Sequence, residues 1–286
     1  MPFSAEVSAY AKLNLTLDVT ARRPDGYHDL CMVMQTVALW DTIQITEKKV
    51  PGIQVQTNVS FLPSDEKNLA AVAARRYFEA AGLPLPGLQI HIEKRIPICA
   101  GMGGGSSDGA AVLRALNQHY GALSPRQLQE VGESVGADVP YCICGGTMLA
   151  QGKGEQLCRL PALPACYFVI CKPRFSVSTP VLFSRLHVGK IRCRPDTPGI
   201  IDALEAADLE GVARRMYNVF EPVLEPSRQE VLRQIRSVLL DYGALGVSMS
   251  GTGPSMFGLF SSRETAEAAF RALKEQYQEC FLAQSV

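Results

Sequence analysis

The chain has 286 residues and no net formal charge, with 47% hydrophobic and 20% charged residues, a composition typical of a globular protein with a full core. This balance gives no broad basic surface, and no apolar run approaches the ~20 residues of a membrane span, so neither nucleic acid nor a membrane is expected as a partner. The nine cysteines include no Cys-x-x-Cys pair, which argues against a zinc site and favours reduced thiols in a cytoplasmic protein.

Strands and helices alternate in the first part of the chain. In order, the sequence predicts a strand at 13–20, a hairpin turn at Asp25-Gly26, a longer strand or strand pair at 30–45, a short strand at 53–59, a helix at 68–81 and a strand at 88–92. Apolar and polar side chains alternate in the first strand. One of its faces is therefore expected to be buried and the other exposed.

A glycine-rich stretch from Pro97 to Asp108 joins the last of these strands to a helix that is predicted to end near Gly121. Glycines let the backbone approach a ligand closely, and the free N–H groups and positive dipole end of the helix favour phosphate. No lysine closes the stretch as it would in a P-loop, so the countercharge must come from elsewhere. The alternative is a flexible turn before an ordinary helix capped by a serine or aspartate, which would need fewer glycines.

Pro161 and Pro164 mark the expected boundary between two domains, residues 1–160 and 161–286. Before it, the sequence predicts a helix from Ser124 to Gly136 with a capping box, and a hairpin over 141–150. After it, the predicted elements are a strand at 167–171, helices at 200–206, 209–217 and 227–241, strands at 246–250 and 255–260, a helix through 266–277 and a strand at 280–283. This β-α-β-β-α-β order is ferredoxin-like, and the fold class is α+β.

Lys12, at the start of the first strand, and Asp138, between a predicted helix and strand, are candidates for phosphoryl transfer. That reaction needs charge neutralisation and a carboxylate that orients or deprotonates the attacking hydroxyl. Tyr27 and His28 follow the hairpin turn and could stack on and hydrogen-bond a nucleobase. Taken alone, these residues have simpler explanations: a strand-end charge, a turn residue and hairpin aromatics.

Three stretches resemble motifs of the GHMP kinase superfamily: Lys12–Leu15, Pro97–Ser107 and Ser250–Gly253. Three more, Arg23–His28, Gly136–Pro140 and Gly152–Glu155, narrow the resemblance to the branch that acts on a cytidine diphosphate-linked methylerythritol. The likeness runs in sequence order over most of the chain, from about residue 9 to residue 260. Residues 217–221 lack the aspartate that often follows the asparagine in the family, so no site is assigned there.

The resemblance implies an ATP-dependent kinase that phosphorylates the 2-hydroxyl of this substrate in the methylerythritol phosphate route to isoprenoids, with ATP and magnesium as cofactors. It also implies a two-domain GHMP kinase fold. The N-terminal domain would be ribosomal-protein-S5-domain-2-like and the C-terminal domain ferredoxin-like. No obligate protein partner is implied.

The same resemblance assigns the site residues. Asp138 is the expected base and Lys12 its electrostatic partner. The expected ATP-binding residues are Asn68, Lys94, Pro97, Ile98, Cys99, Ala100, Gly101, Met102, Gly103, Gly104, Gly105, Ser106 and Ser107, with Ser107 near magnesium. The expected substrate-binding residues are Asn14, Tyr27, His28, Asp138 and Phe183.

Two alternatives stay open at this point. One is another GHMP small-alcohol kinase of mevalonate or homoserine type, against which Tyr27-His28 argue because those substrates carry no base to stack. The other is a nucleotide-binding protein without catalysis, against which the presence of both Lys12 and Asp138 argues.

Overall fold

A computed structural model describes residues 3–64 and 67–286 of the chain. The chain divides into two compact units that interleave along the sequence. The first unit comprises the chain up to Ala11, Trp40–Ile96 and Gly103–Gly145, and the second comprises Lys12–Leu39, Pro97–Met102 and Gly146–Val286. The domain boundary at 160/161 stays a prediction. No helix within these described ranges is long and apolar enough to cross a membrane.

The elements follow in chain order. The strands are β1 (Ser4–Arg22), β2 (His28–Lys48), β3 (Gly52–Thr57), β4 (Gly87–Glu93), β5 (Thr147–Gly152), β6 (Gln156–Arg159), β7 (Tyr167–Lys172), β8 (Tyr217–Asn218), β9 (Gly246–Met249), β10 (Met256–Phe260) and β11 (Glu279–Gln284). The helices are α1 (Leu69–Ala81), α2 (Gly104–Tyr120), α3 (Pro125–Val135), α4 (Val139–Cys144), α5 (Thr179–Arg185), α6 (Thr197–Glu205), α7 (Leu209–Arg214), α8 (Pro226–Asp241) and α9 (Arg263–Lys274).

In the first unit, β3 runs parallel to β4, and β4 is antiparallel to the later half of β2. The helix between the two parallel strands, α1, begins at an asparagine cap, Asn68, and ends at Gly82 in the left-handed conformation, as the sequence predicts. Its small buried face, mostly alanine, allows close contact with α2. The capping box of Ser124 and Gln127 is also confirmed at the start of α3.

In the second unit, four antiparallel strands form a sheet in the order β11-β7-β10-β9. Numbered by their order in the chain, these strands are the fourth, first, third and second. The helices α8 and α9 contact the sheet. The predicted ferredoxin-like arrangement is therefore confirmed. In the same unit, β5 pairs with both β6 and the first half of β2, while β8 runs parallel to β1.

The predicted hairpin over 141–150 is wrong in its first half, which forms the helix α4. A short apolar run such as Tyr141–Cys144 does not by its period distinguish a strand from a buried helix. Pro140 lies in the first turn of α4, where a helix tolerates proline, and Gly145 ends it. Asp138 consequently precedes a helix and not a strand. Residues 215–217 likewise leave the predicted helix, since α7 ends at Arg214.

The exposed face predicted for the first strand is also wrong, because β1 is buried on both faces from Ala11 to Val19. Polar side chains on this buried face bond to other protein groups. The Thr16 hydroxyl accepts from the Val33 N–H (3.0 Å), and Asp18 pairs with Arg194 (2.6 Å). Alternation therefore identified the two faces correctly but not what covers the polar one.

Candidate active site

Asn14 on β1 connects two of the predicted motifs in the second unit. Its side-chain oxygen accepts hydrogen bonds from the Lys12 ammonium (2.7 Å) and from the Gly251 N–H (2.9 Å). Its own backbone N–H donates to the Ser250 hydroxyl (3.3 Å). Asn14 is fully buried and Lys12 is 4% exposed. The amide therefore holds the lysine and the second glycine-rich loop in one arrangement.

The first part of the glycine-rich stretch joins the same arrangement. The Ser250 hydroxyl donates to the carbonyl of Gly101 (2.8 Å), and the Lys12 N–H donates to the carbonyl of Met102 (3.1 Å). Gly101 and Gly251 both have positive φ angles, +73° and +58°. A Cβ on Gly101 would lie 2.1 Å from the Ser250 carbonyl oxygen, so only glycine fits there.

Asn218 supports this loop and was missed by the sequence analysis, which assigned no site to residues 217–221. Its buried amide group donates to the carbonyls of Met249 (2.8 Å) and Gly251 (2.7 Å), while its oxygen accepts from the Phe220 N–H (2.9 Å). The only available signal was one polar residue within an otherwise apolar run.

The second part of the glycine-rich stretch belongs to the first unit, where it starts α2. The helix begins at Gly104, so the last glycines and both serines form its first turn and not a loop before it. The N-cap is Gly103 with φ +69°, and no side chain caps the helix. Its first N–H groups and its positive dipole end are therefore directed at one place, as an anion site requires.

Ser107, the predicted magnesium ligand, faces away from solvent. Its hydroxyl donates to the carbonyl of Tyr10 (2.5 Å) and lies 3.4 Å from the Cys142 sulfur, and the residue is 1% exposed. In this rotamer the residue does not fit a metal ion, because the oxygen is enclosed by protein atoms. Binding would require the side chain to rotate away from Tyr10.

Lys94 lies beside the start of α2, as predicted, but its charge is shared. Its ammonium contacts Asp41 (2.5 Å) and Asp108 (2.7 Å), and all three side chains are at most 6% exposed. A Cβ on Gly104 would lie 3.3 Å from the ammonium nitrogen. Burial lowers the pKa of Lys94, but the Asp108 and Asp41 carboxylates outweigh it and leave the pKa raised. Neither aspartate was among the predicted site residues.

Asp108 is the less satisfied of the two carboxyl groups. Its Oδ1 atom is buried without a hydrogen-bond partner, and burial raises the pKa of Asp108 to about 8. Between about pH 4 and pH 8, Asp108 is therefore protonated in the folded chain and ionised in the unfolded chain. The folded state thus binds more protons in this window, so the free energy of unfolding should fall as the pH rises from about 4 to 8.

Asp108→Asn is therefore expected to flatten this decline, because the amide cannot titrate. The Tm of the variant minus that of the wild type should therefore increase from pH 5 to pH 9. The expected gain is at least about 2–4 °C, which corresponds to about 1 kcal/mol in the free energy of unfolding. Thermal melts across this range measure the gain. Asp202→Asn, at an exposed position of α6, is the control that should run parallel to the wild type. A parallel Asp108→Asn curve would contradict the assignment.

An aromatic group lies in the second unit at three predicted substrate positions. The rings of His28 and Phe183 are 4.9 Å apart, and Phe220 lies behind Phe183 at 4.8 Å. Tyr27 is 62% exposed, with the Lys153 ammonium 5.8 Å from its ring. Burial, assisted by Arg22, lowers the pKa of His28, so its imidazole is neutral at pH 7 and can both donate and accept a hydrogen bond.

Two predicted residues lie at the starts of helices in the first unit. Asn68 accepts from the Ala70 N–H (3.0 Å) and donates to the Pro63 carbonyl (2.9 Å). Asp138 occupies the N-cap position of α4 and is half-buried. A Cβ on Gly136 would lie 3.9 Å from the Ser106 hydroxyl, so the segment that carries Asp138 lies against the first turn of α2.

The remaining predicted residues form the segment Pro97–Met102 in the second unit. Pro97, Ala100 and Met102 are buried, whereas Cys99 is exposed with φ +53°. These buried side chains anchor the segment next to Lys12.

Comparison with known proteins gives matches over nearly the whole chain. Residues 68–146 match the GHMP kinases N terminal domain, and residues 200–279 match the GHMP kinases C terminal domain. A 4-diphosphocytidyl-2-C-methyl-D-erythritol kinase from Alkaliphilus metalliredigens is 40% identical over 281 residues, which cover 98% of this chain and 96% of the relative.

Solved structures agree. A crystal structure of 4-(cytidine 5'-diphospho)-2C-methyl-D-erythritol kinase superposes with a TM-score of 0.82 at 33% identity, covering 98% of this chain and 99% of the other. A homoserine kinase from Cytophaga hutchinsonii superposes with a TM-score of 0.76 at 23% identity, over 99% of this chain and 94% of its own. At that identity the second likeness shows the shared fold alone.

Proposed function

Since the chain belongs to the GHMP kinases and, within them, to the 4-diphosphocytidyl-2-C-methyl-D-erythritol kinases, we propose how its own residues carry out the reaction. The protein is an ATP-dependent kinase of the methylerythritol phosphate route to isoprenoids. The hydroxyl phosphorylated is the 2-hydroxyl of the erythritol part, with ADP as the second product.

ATP binds through its phosphates at the start of α2. The uncapped N–H groups after Gly103 and the positive end of the helix dipole supply the binding energy, since the glycine-rich stretch contains no lysine. Lys94 adds a positive charge beside Gly104. Asn68 helps to hold the nucleotide outside the glycine-rich stretch, and the family resemblance also assigns Pro97–Met102 to ATP.

Asp138 is the base, and Lys12 neutralises negative charge as the phosphoryl group moves. The substrate oxygen attacks the γ-phosphorus, its proton passes to the Asp138 carboxylate, and the bond to the β-phosphate oxygen breaks to release ADP. Asn14 fixes the Lys12 ammonium through a 2.7 Å hydrogen bond, so the cation needs no rearrangement during the reaction. Both contributions are electrostatic and positional, as phosphoryl transfer requires.

Tyr27, His28 and Phe183 bind the cytosine base. The contact between His28 and Phe183 supports this, because it creates an aromatic surface with a polar ring edge. Such a surface stacks on a base and also forms a hydrogen bond with it.

Magnesium accompanies the ATP phosphates in this proposal and offsets their charge. Ser107 would contribute an oxygen only after leaving Tyr10, and no step above depends on it. We place the enzyme in the cytoplasm with two small-molecule substrates and no obligate protein partner.

The observation that carries the proposal is the meeting of Lys12, Asn14, Gly101 and Ser250 in one hydrogen-bonded arrangement of the second unit. These residues come from three stretches far apart in the chain that resemble the three superfamily motifs. A protein that kept only a phosphate site would not need the lysine of the first strand fixed in this way.

A coupled assay of ADP release tests the function. With ATP and magnesium, turnover is expected on the diphosphocytidyl substrate, and kcat/KM for mevalonate or homoserine is expected to be lower by at least about 10³-fold, because neither offers a base to the aromatic group. Turnover of mevalonate or homoserine without turnover of the cytidyl compound would favour the other small-alcohol kinases. ATP binding without any turnover would favour a non-catalytic protein.

A further inference from the structure

We propose that Asp41 is a positioning residue for ATP, which acts by holding the Lys94 ammonium beside the first turn of α2. The inference rests on the proposed kinase function and assigns a role to a side chain outside the motifs that identify the family. It concerns only residues of the first unit.

Asp41 is fully buried and sits where β2 meets the end of β4. The last paired residues of these antiparallel strands are Thr42 and Glu93. Asp41 and Lys94 are therefore the next two residues to face each other across the strands. One carboxylate oxygen contacts the Lys94 ammonium (2.5 Å). The other accepts the backbone N–H groups of Arg95 (2.5 Å) and Ile96 (2.8 Å). Asp41 therefore fixes both the charge of Lys94 and the backbone that leads into the glycine-rich stretch.

The two carboxyl groups around Lys94 are not equivalent. Asp41 has hydrogen bonds on both oxygens, whereas Asp108 has a buried oxygen without a partner. Asp41 also holds the backbone that follows Lys94, through the Arg95 and Ile96 N–H groups, whereas Asp108 meets the ammonium with its other oxygen. Asp41 is therefore the carboxyl group that anchors the lysine to the end of β4.

The position of Lys94 explains why anchoring matters for ATP. The ammonium has three N–H donors, of which two meet Asp41 and Asp108. Because its nitrogen lies 3.3 Å from the position that a Cβ on Gly104 would occupy, the lysine adjoins the backbone that receives phosphate. A lysine without its anchor has several rotatable bonds and loses this place at little cost.

Asp41→Asn isolates the ionic contact. Asparagine keeps an oxygen for the Arg95 and Ile96 N–H groups, but presents a neutral amide to Lys94. The KM for ATP should rise on the order of 10-fold, with kcat and the KM for the cytidyl substrate within about twofold of the wild type. Asp18→Asn, which removes the 2.6 Å ion pair with Arg194 in the second unit, is the matched control and should change neither KM.

Asp108→Asn separates the two carboxyl groups, because it leaves the contacts of Asp41 with Lys94, Arg95 and Ile96 in place. A KM for ATP within about threefold of the wild type is expected at pH 7. If Asp108→Asn raised the KM for ATP as much as Asp41→Asn does, the proposal would be overturned. It would also be overturned if Asp41→Asn raised the KM values for ATP and for the cytidyl substrate together, since a general disturbance of the fold gives that result.

If the Asp41→Asn variant is unstable, the same substitution can be made in a Lys94→Met background. The double variant has no ammonium at position 94, so the loss of the Asp41 charge leaves no buried cation without its partner. Its KM for ATP should equal that of Lys94→Met alone, because Asp41 acts through the lysine. A further tenfold rise would contradict this.

Calorimetric binding of the non-hydrolysable analogue AMP-PNP to all variants gives the same comparison without turnover. Failure of the wild type to phosphorylate the cytidyl compound would refute the function, whereas equal AMP-PNP affinity of wild type and Asp41→Asn would refute the positioning role.

Discussion

Asp138→Asn is expected to lower kcat by on the order of 10²–10⁴-fold, the usual contribution of a general base, while the affinity for ATP stays nearly unchanged. The amide cannot take the proton of the attacking hydroxyl. The Asp138 side chain makes no capping hydrogen bond to α4, so the start of this helix should be preserved in the variant. Steady-state ADP release measures kcat, and AMP-PNP calorimetry measures the affinity.

The control for this prediction is Glu130→Gln, which removes a carboxylate from the exposed surface of α3 in the same unit. Its kcat should match that of the wild type. If Asp138→Asn retained wild-type turnover, Asp138 would not be the base. A loss of turnover accompanied by a lower Tm would point to a damaged fold instead.

Gly101→Ala is expected to lower kcat/KM for ATP by on the order of 100-fold, because a displacement of about 1 Å at a reacting site costs this much. The new Cβ would lie 2.1 Å from the carbonyl oxygen of Ser250, a backbone atom that no rotamer change can move. The left-handed φ of +73° adds about 1–2 kcal/mol of strain. The stretch must therefore move away from the Ser250 loop. Kinetics at varied ATP and a thermal melt measure the two effects.

Gly121→Ala tests the effect of backbone strain at a positive φ angle without a steric clash of the new Cβ. Gly121 has a similar φ of +62° at the end of α2, but a Cβ there would meet nothing within 4 Å. This variant should lose about 1–2 kcal/mol of stability and keep its kcat/KM for ATP. Equal kinetics for the two alanine variants would show that the contact between Gly101 and Ser250 does not shape the ATP site.

Local signals predicted much of the fold. The asparagine cap and the glycine end of α1, the capping box of α3 and the Asp25-Gly26 turn each depend on hydrogen bonds or φ angles within about four residues. The apolar run before Gly145 shows where such signals fail. Its period fits a strand and a buried helix equally, and contacts with α2 and α3 favour the helix.

The candidate site divides in the same way. The glycine-rich stretch, its helix and the phosphate they would bind follow from residue types in sequence order, and the family resemblance added Lys12, Asp138 and the aromatic residues. No local pattern identifies Asp41, since it is a single charged residue between Leu30 and Thr46 of β2, and its partner Lys94 is 53 residues away. Asn218 is similar, with hydrogen bonds to residues 31 and 33 positions later.

By itself, therefore, the sequence determined the ferredoxin-like order of the second half and the superfamily, and it predicted an anion site at the start of α2. The tertiary structure alone decided that the polar face of β1 is buried, that Ser107 turns toward Tyr10 and that Lys94 shares its charge with two carboxyl groups. The physical reason is distance along the chain. A cap or turn is completed by its neighbours in sequence, whereas a buried polar group is satisfied by whichever distant residue the packing brings to it, such as Ser250 to Asn14 across 236 positions.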